Sequence, residues 1–177
     1  MTDTALQQKR LVAAVIDIAV GVGIAFAVVL LTLVAGFVLG FASSTAAAYA
    51  GRLFNLIGAL ALLAYVLGRD VLFEGRSLGK KTQDLKVLGA SGALVTLEES
   101  ARRNALFGLG SALGVIAATL QLFPCLGDVV TCLLTPLWAL GIFASFAAAI
   151  VEIVMIVQDP AGIRFGDRFA RTKVVRA

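Results

Sequence analysis

Residues 11–41 read LVAAVIDIAVGVGIAFAVVLLTLVAGFVLGF, and this stretch decides the fold. Asp17 is its only charged residue, and a helix needs about 20 consecutive apolar residues to cross a bilayer. Three further stretches long enough to cross lie at residues 53–73, 105–123 and 129–157. The sequence therefore predicts an all-α integral membrane protein, built as a four-span helical bundle.

The composition excludes an ordinary soluble domain. Of the 177 residues, 60% are hydrophobic and 15% are charged, whereas soluble domains average about 25% charged residues. The segments between the apolar stretches are short and scattered, and a separate domain usually needs about 100 residues. We therefore expect a single transmembrane domain over residues 1–177, with a polar connection at 74–104 and a tail at 158–177.

Several kinds of chemistry are excluded by the residues present. The chain contains no His, which excludes a His-dependent triad, a zinc–histidine site and an imidazole proton shuttle. The segment GRSLGKKT, residues 75–82, has three residues between its glycines, whereas a phosphate-binding loop needs four. No nucleophile–base pair or metal-ligand cluster is visible. We expect no enzyme activity, no cofactor and no metal site.

The basic residues predict the orientation of the chain in the membrane. All of the 15 Lys and Arg residues except Arg52 lie in the amino-terminal segment, in the carboxyl tail, or in the second connection and, for Arg69, at the end of the span that leads into it. Basic residues near span ends stay in the cytoplasm, so we expect both termini to be cytoplasmic. The net charge of +4 does not indicate nucleic acid, because the basic residues flank apolar spans instead of forming a solvated face.

The second connection has a local pattern of its own. The segments 85–88 (LKVL) and 93–95 (ALV) flank the glycine-containing turn 89–92, a pattern typical of a short hairpin. Thr96 and Glu99 then form a capping box. We expect an interfacial helix to begin there and to continue into the third span.

Two carboxylates, Asp17 and Glu152, lie well within the apolar spans. Asp17 is about 9 Å inward from Leu11, and Glu152 is about 7.5 Å inward from Val157. Intramembrane carboxylates often mark ion pathways or proton relays, and two at one depth could hold a cation or share a proton. Arg10 lies on the same helix face as Asp17, so a purely structural ion pair between them is the alternative.

Three segments, in order along the chain, resemble the RDD family of small bacterial membrane proteins, named for one Arg and two Asp. They are KRLVAAVID at 9–17, GKK at 79–81 with LKVL and Arg103-Asn104 after it, and GDRFARTKVV at 166–175. The resemblance implies that Arg10, Asp17 and Asp167 are the residues of the family name. It implies a multi-pass protein of the bacterial cytoplasmic membrane, suspected of transport with ion or proton exchange. The fourth span exceeds the number commonly described for the family.

Two hypotheses about function remain open. The first is a small transporter or antiporter of monovalent cations or protons, with Asp17 as the exchanging carboxylate and Arg10 as its countercharge. It predicts a homo-oligomer, because four spans enclose little volume. The second is a non-transporting adaptor or assembly subunit, in which charge pairs among Arg10, Asp167 and Arg103 are structural. Its basic face would bind anionic lipid headgroups or a protein partner through three residues, Lys80, Lys81 and Arg102.

Cys125 and Cys132 lie at or near the predicted turn between the third and fourth spans. An oxidising compartment would permit a disulfide there. On a single helix the two residues would be about 10.5 Å apart, which is too far for a disulfide. Two small apolar side chains without a disulfide are the favoured interpretation.

Overall fold

The computed structural model describes residues 4–123, 127–159 and 163–177. The described chain contains the helices α1 (Thr4–Gly40), α2 (Ser44–Gly68), α3 (Leu78–Thr82), α4 (Leu97–Leu120), α5 (Gly127–Gln158) and α6 (Phe165–Ala170). It also contains the strands β1 (Leu85–Leu88) and β2 (Lys173–Arg176).

Four of these helices are long and apolar enough to cross a membrane. They are α1, α2, α4 and, within α5, the segment Ala139–Gln158. Each overlaps one of the four predicted apolar stretches, although α1, α2 and α4 begin earlier in the chain than the stretches do and α2 ends at Gly68, before the end of stretch 53–73. The helical membrane architecture predicted from the sequence is therefore confirmed.

The distribution of side chains is the reverse of that in a soluble protein. Large apolar side chains on α1 point outward, with Val22 63%, Phe26 67% and Phe37 70% exposed. Many of the buried side chains are polar or charged, and a small apolar cluster that includes Leu85 and Val87 lies among them. An exposed apolar surface of this extent is stable in lipid but not in water.

The helices pack side by side in the order α1, α2, α4, α5, while α1 and α5 make a more limited contact. α3 packs against α1, and α6 packs against α4. These contacts bring the start of α1, the connection between α2 and α4 and the C-terminal segment together at one end of the bundle, which we call the charged end. The turn at residues 41–43 lies at the opposite end.

The predicted hairpin forms only in part. A turn does close at residues 89–92, where the amide of Gly89 donates to the carbonyl of Ala93 (2.9 Å), and Leu88 makes an isolated bridge to Leu94. The regular partner of β1, however, is β2, in antiparallel register with Val87 opposite Val174. Residues 93–95 are therefore not the second strand, because the C-terminal segment takes that place.

The capping box predicted at the start of α4 is confirmed. The Thr96 side chain accepts the amide hydrogen of Glu99 (3.2 Å), and the Glu99 carboxylate accepts the amide hydrogen of Thr96 (2.9 Å). Both bonds satisfy amides that have no partner within the helix. This local interaction fixes where the third span begins.

The cysteine prediction is only partly within the described chain. Cys132 lies exposed on α5. Cys125 lies outside the described residues, so the predicted choice between a disulfide and two apolar side chains stays open.

Candidate functional site

Ionisable side chains are buried together at the charged end of the described chain, and we call this set the charge cluster. Its members are Arg10, Asp17, Arg69, Asp70, Lys80, Arg103, Glu152, Arg164 and Asp167. Five are cations and four are carboxylates, so the charge cluster carries a net charge of +1 when all are ionised. Burying so many charges is costly unless each one is paired, and the pairing therefore defines the site.

Asp167, on the short helix α6, is bound by three guanidinium groups. Arg10 forms a direct ion pair with it, Arg103 Nη2 lies 2.8 Å from its Oδ1, and Arg164 Nη2 lies 3.5 Å away. Burial alone would raise the pKa of Asp167, but the three cations hold this pKa well below its ordinary value. Asp167 therefore stays ionised and joins the C-terminal segment to α1 and α4.

Arg10 binds one of the two carboxylates considered for it from the sequence. Asp17 lies on the same helix face as Arg10, but the Arg10 guanidinium pairs with the other candidate, Asp167, across the bundle. The reason is tertiary, since α6 packs against α4 and brings Asp167 to the start of α1. The Arg and the second Asp of the suggested family motif are thus direct partners.

Asp17 is held by the segment that begins α3. Its Oδ2 accepts a hydrogen bond from Ser77 Oγ (2.6 Å), and its Oδ1 accepts one from the amide of Gly79 (2.8 Å). Ser77 is the N-cap of α3. The carboxylate therefore fixes α3 against α1, and its principal contacts are uncharged donors.

Lys80, expected at the lipid headgroups, is instead only 6% exposed. Its Nζ lies 2.5 Å from Asp70 Oδ1, 3.1 Å from Ser77 Oγ and 3.7 Å from Asp17 Oδ2. Burial lowers the pKa of Lys80 to about 8, although the attraction of Asp70 opposes this shift. A lysine with this pKa changes its protonation near physiological pH.

Asp70 is completely buried directly after α2. Besides Lys80, it accepts a hydrogen bond from Asn104 Nδ2 (3.0 Å), and Arg103 Nε lies 3.7 Å away. The Asn104 side-chain oxygen in turn accepts from Arg69 Nη2 (2.7 Å). Burial would raise the pKa of Asp70, but Lys80 and the neighbouring guanidinium groups hold it well below its ordinary value.

Glu152, on α5, pairs with Arg164. Its Oε2 lies 3.1 Å from Arg164 Nη1, and its Oε1 accepts a hydrogen bond from the amide of Gly166 (3.1 Å). The two intramembrane carboxylates of the sequence prediction, Asp17 and Glu152, line the same cavity. Each has its own partners, however, so the geometry gives no support to a proton shared between them.

The other two basic residues expected at the headgroups are exposed. Lys81 lies over the ring of Phe73, 4.6 Å from its centroid, and Arg102 pairs with Glu98 at 2.6 Å on the surface of α4. Exposed ion pairs of this kind contribute little to stability. Lys81 and Arg102 therefore remain available for contacts at the membrane surface.

Five members of the site were not identified from the sequence: Arg69, Asp70, Ser77, Asn104 and Arg164. Asp70 and its neighbour Arg69 lie inside the apolar stretch 53–73, and charges there were a usable signal. Ser77 and Arg164 had no such signal, because they lie in polar segments whose position depends on tertiary packing.

Gly79 is required by the close approach of α3 to α1. A Cβ atom there would lie 2.0 Å from the carbonyl oxygen of Ala13 and 2.9 Å from Asp17 Oδ1. We expect Gly79→Ala to lower the free energy of unfolding by about 3 kcal/mol or more, because backbone must move. Gly36→Ala is the matched control, since a Cβ there meets nothing within 4 Å. Thermal unfolding of both variants in detergent checks this, and equal melting temperatures would contradict the packing described.

Two cavities lie along the bundle. The charged-end cavity has a volume of about 60 Å³, and all five cations of the charge cluster contribute to its wall. The opposite-end cavity has a volume of about 330 Å³ between α1, α2 and α4, and its polar lining residues are Asn55, Ser111 and Gln121. The lining residues of the two cavities that lie nearest each other are Ile18 and Ala25 on α1 and Phe107 and Ser111 on α4. At 1.5 Å per residue the cavities are therefore about 6–10.5 Å apart along the helix axes.

Comparison with known proteins identifies one family. The sequence model of the RDD family matches residues 4–171, nearly the whole chain. No curated protein and no solved structure matches the chain. The matched region includes every member of the charge cluster.

Proposed function

This chain belongs to the RDD family, and we propose that it is a small membrane transporter that exchanges a monovalent cation for a proton at Lys80. Four helices are suited to span the membrane, which makes the chain a multi-pass membrane protein. The proposal keeps the substrate class predicted from the sequence. It replaces Asp17 with Lys80 as the group that releases the proton, and Asp17 becomes one of the oxygen donors around it.

The position of the Lys80 ammonium carries this proposal. Three oxygens from separate side chains surround Nζ, from Asp70, Ser77 and Asp17. Hard cations take oxygen ligands of this kind, and the ammonium occupies the place that a monovalent cation would take. When Lys80 loses its proton, the three oxygens remain in place but no longer have a positive charge between them, and a monovalent cation can bind there.

The exchange balances in charge. Protonated Lys80 releases one proton to water and becomes a neutral amine, and one monovalent cation then binds to the carboxylates. Asp70 remains ionised throughout, because its pKa is held well below the ordinary value. The net charge of the buried site is the same in both states, so the proposed exchange is electroneutral.

The two cavities supply most of the route that we propose for the cation along the bundle. Ile18 and Phe107 line the charged-end cavity, and Ala25 and Ser111 line the opposite-end cavity on the same helices. Between them Tyr65 donates a hydrogen bond to the carbonyl of Asp17 (3.2 Å). We propose that a movement of this layer connects the cavities alternately with Lys80.

The orientation and assembly belong to the same proposal. The one-sided distribution of basic residues supports a cytoplasmic charged end in the bacterial inner membrane. The limited contact between α1 and α5 leaves a long side of the bundle open, which favours a homo-oligomer that covers it.

Proton competition gives the proposal a test on purified protein. With a Lys80 pKa of about 8, the apparent affinity for Na⁺ should be about tenfold weaker at pH 7 than at pH 9, and about 100-fold weaker at pH 6. Calorimetry in two buffers of different ionisation enthalpy measures both the affinity and the proton released per Na⁺. An affinity independent of pH, or binding without proton release, would refute exchange at Lys80.

One observation favours the second hypothesis, that of a non-transporting adaptor or assembly subunit. Each carboxylate of the charge cluster has at least one cation within ion-pair distance, as a purely structural network would. Exposed Lys81 and Arg102 would then provide the contact with anionic headgroups or a protein partner. The absence of Na⁺ binding at every pH would favour this adaptor over the transporter.

A further inference from the structure

We infer that the charged-end cavity binds a small monovalent anion such as chloride, and that Arg103 is its principal ligand. This ligand differs from the three oxygens around Lys80, although Asp17 and Lys80 also line the cavity. The inference does not depend on transport, because an adaptor with the same charge cluster would bind the same anion.

Arg103 has donors that the protein does not use. Its side chain is 0% exposed, and no atom of its guanidinium makes a hydrogen bond of good geometry to the described residues. Nη2 faces Asp167 and Nε lies toward Asp70 as ion pairs, which leaves Nη1 without a hydrogen-bond partner. A guanidinium group carries five N–H donors, and a buried donor left unsatisfied is costly.

Among the charged residues that line the cavity next to Arg103, cations predominate over carboxylates. The other four cations of the charge cluster also line it, together with the carboxylates Asp17 and Glu152. Asp17 is held by Ser77 and Gly79, and Glu152 faces Arg164. The potential within the cavity is therefore set by the cations.

The charge balance and the size of the cavity define the ligand. The charge cluster has a net charge of +1, and an uncompensated buried charge is costly. One monovalent anion makes the balance zero. A volume of about 60 Å³ exceeds the 10–15 Å³ that one water needs, so a halide with some water fits, while an organic anion such as gluconate does not.

Thermal unfolding in salts of one cation tests the inference. We expect the melting temperature of the wild-type protein at pH 6.5 to rise saturably when sodium chloride or bromide replaces sodium gluconate at constant ionic strength, because a ligand of the folded state stabilises it. Identical melting temperatures in the three salts would mean that the cavity holds only water, and the inference would be wrong.

A conservative substitution at Arg103 tests whether this residue binds the anion. Arg103→Lys keeps a positive charge beside Asp167 but replaces the three guanidinium nitrogens, including the unpartnered Nη1, with a single ammonium nitrogen. The chloride concentration for half-maximal stabilisation should therefore rise at least tenfold. Arg102→Lys, at the exposed neighbouring position, should leave it unchanged. An unchanged midpoint in Arg103→Lys would overturn the assignment.

If Arg103→Lys does not fold, chloride-35 NMR on the wild-type protein decides the question. We expect the protein to broaden the chloride line and added bromide to reverse the broadening. The absence of broadening would refute the site.

Discussion

Replacing Lys80 by Gln should make the stability of the protein depend on Na⁺. The substitution removes the ammonium between Asp70 and Asp17, and a buried carboxylate that loses its partner costs about 3–5 kcal/mol. If the oxygens form a cation site, Na⁺ fills the vacated place. We therefore expect the melting temperature of Lys80→Gln to be several degrees higher in sodium chloride than in choline chloride, even at pH 6.5.

The wild-type protein should behave differently at the same pH. Protonated Lys80 occupies the site below its pKa of about 8, so Na⁺ should give no stabilisation at pH 6.5 and a clear stabilisation at pH 9.

The Lys80 pKa also makes the stability of the protein without Na⁺ depend on pH. In the folded state this pKa is lower than the ordinary lysine pKa of 10.5. The unfolded chain therefore binds more protons between these values, and the Lys80 contribution to stability increases as pH rises from 8 to 10.5.

Two further variants separate the possible outcomes. Lys81→Gln is the matched control, because Lys81 is exposed on the same short helix; its stability should change by less than about 1 kcal/mol. Lys80→Arg keeps the charge but cannot release a proton, so Na⁺ should have no effect at any pH. Equal destabilisation of Lys80→Gln in sodium and choline would mean that the oxygens bind no cation.

Asp167→Asn should be the most damaging single substitution in the charge cluster. The Asp167 carboxylate is shared by Arg10, Arg103 and Arg164. Its replacement by a neutral amide removes the countercharge that these three buried cations have in common. The expected loss is at least about 3–5 kcal/mol, enough to remove most folded protein. Size-exclusion chromatography of a fluorescently tagged variant measures the remaining folded fraction.

The control for Asp167→Asn is Glu98→Gln, which neutralises an exposed carboxylate paired with Arg102. Its cost should be below about 1 kcal/mol. In the double variant with Arg10→Gln the loss should be smaller than the sum of the two single losses, because the groups are coupled. Strict additivity would contradict the direct pair between Arg10 and Asp167.

The Asp167 contribution also depends on pH with a defined sign. Its folded-state pKa lies below the ordinary value of 3.8, so the unfolded chain binds the proton first as pH falls. The stabilisation by Asp167 is therefore complete above about pH 4 and decreases as pH falls below this value.

The spans could be predicted from the sequence because their cause is local. An apolar stretch such as 11–41 has one stable structure in a bilayer, a helix with all backbone groups bonded. The capping box of Thr96 and Glu99 is local for the same reason. Both features depend on residues close together in the chain, and both were found correctly.

Most partners within the site could not be predicted, because they come from distant segments. The hairpin rule pairs residues 85–88 with the nearest suitable segment, but β1 instead pairs with 173–176. For Arg10 the sequence leaves Asp17 and Asp167 open as partners, and only the packing of α6 on α4 decides for Asp167. For Lys80 the sequence predicts a contact with anionic headgroups because the lysine lies in a basic connection beside a span, and only the packing of α3 on α1 buries it.

The most direct test of cation–proton exchange is a flux measurement on the wild-type protein in sealed vesicles. A pH-sensitive dye is enclosed, and Na⁺ is added outside at pH 8. We expect an internal alkalinisation that needs Na⁺, does not depend on membrane potential, persists in Lys81→Gln and is absent in Lys80→Arg. A wild-type protein that gives no Na⁺-coupled pH change between pH 6 and 9, or a Lys80→Arg variant as active as the wild type, would refute exchange at Lys80.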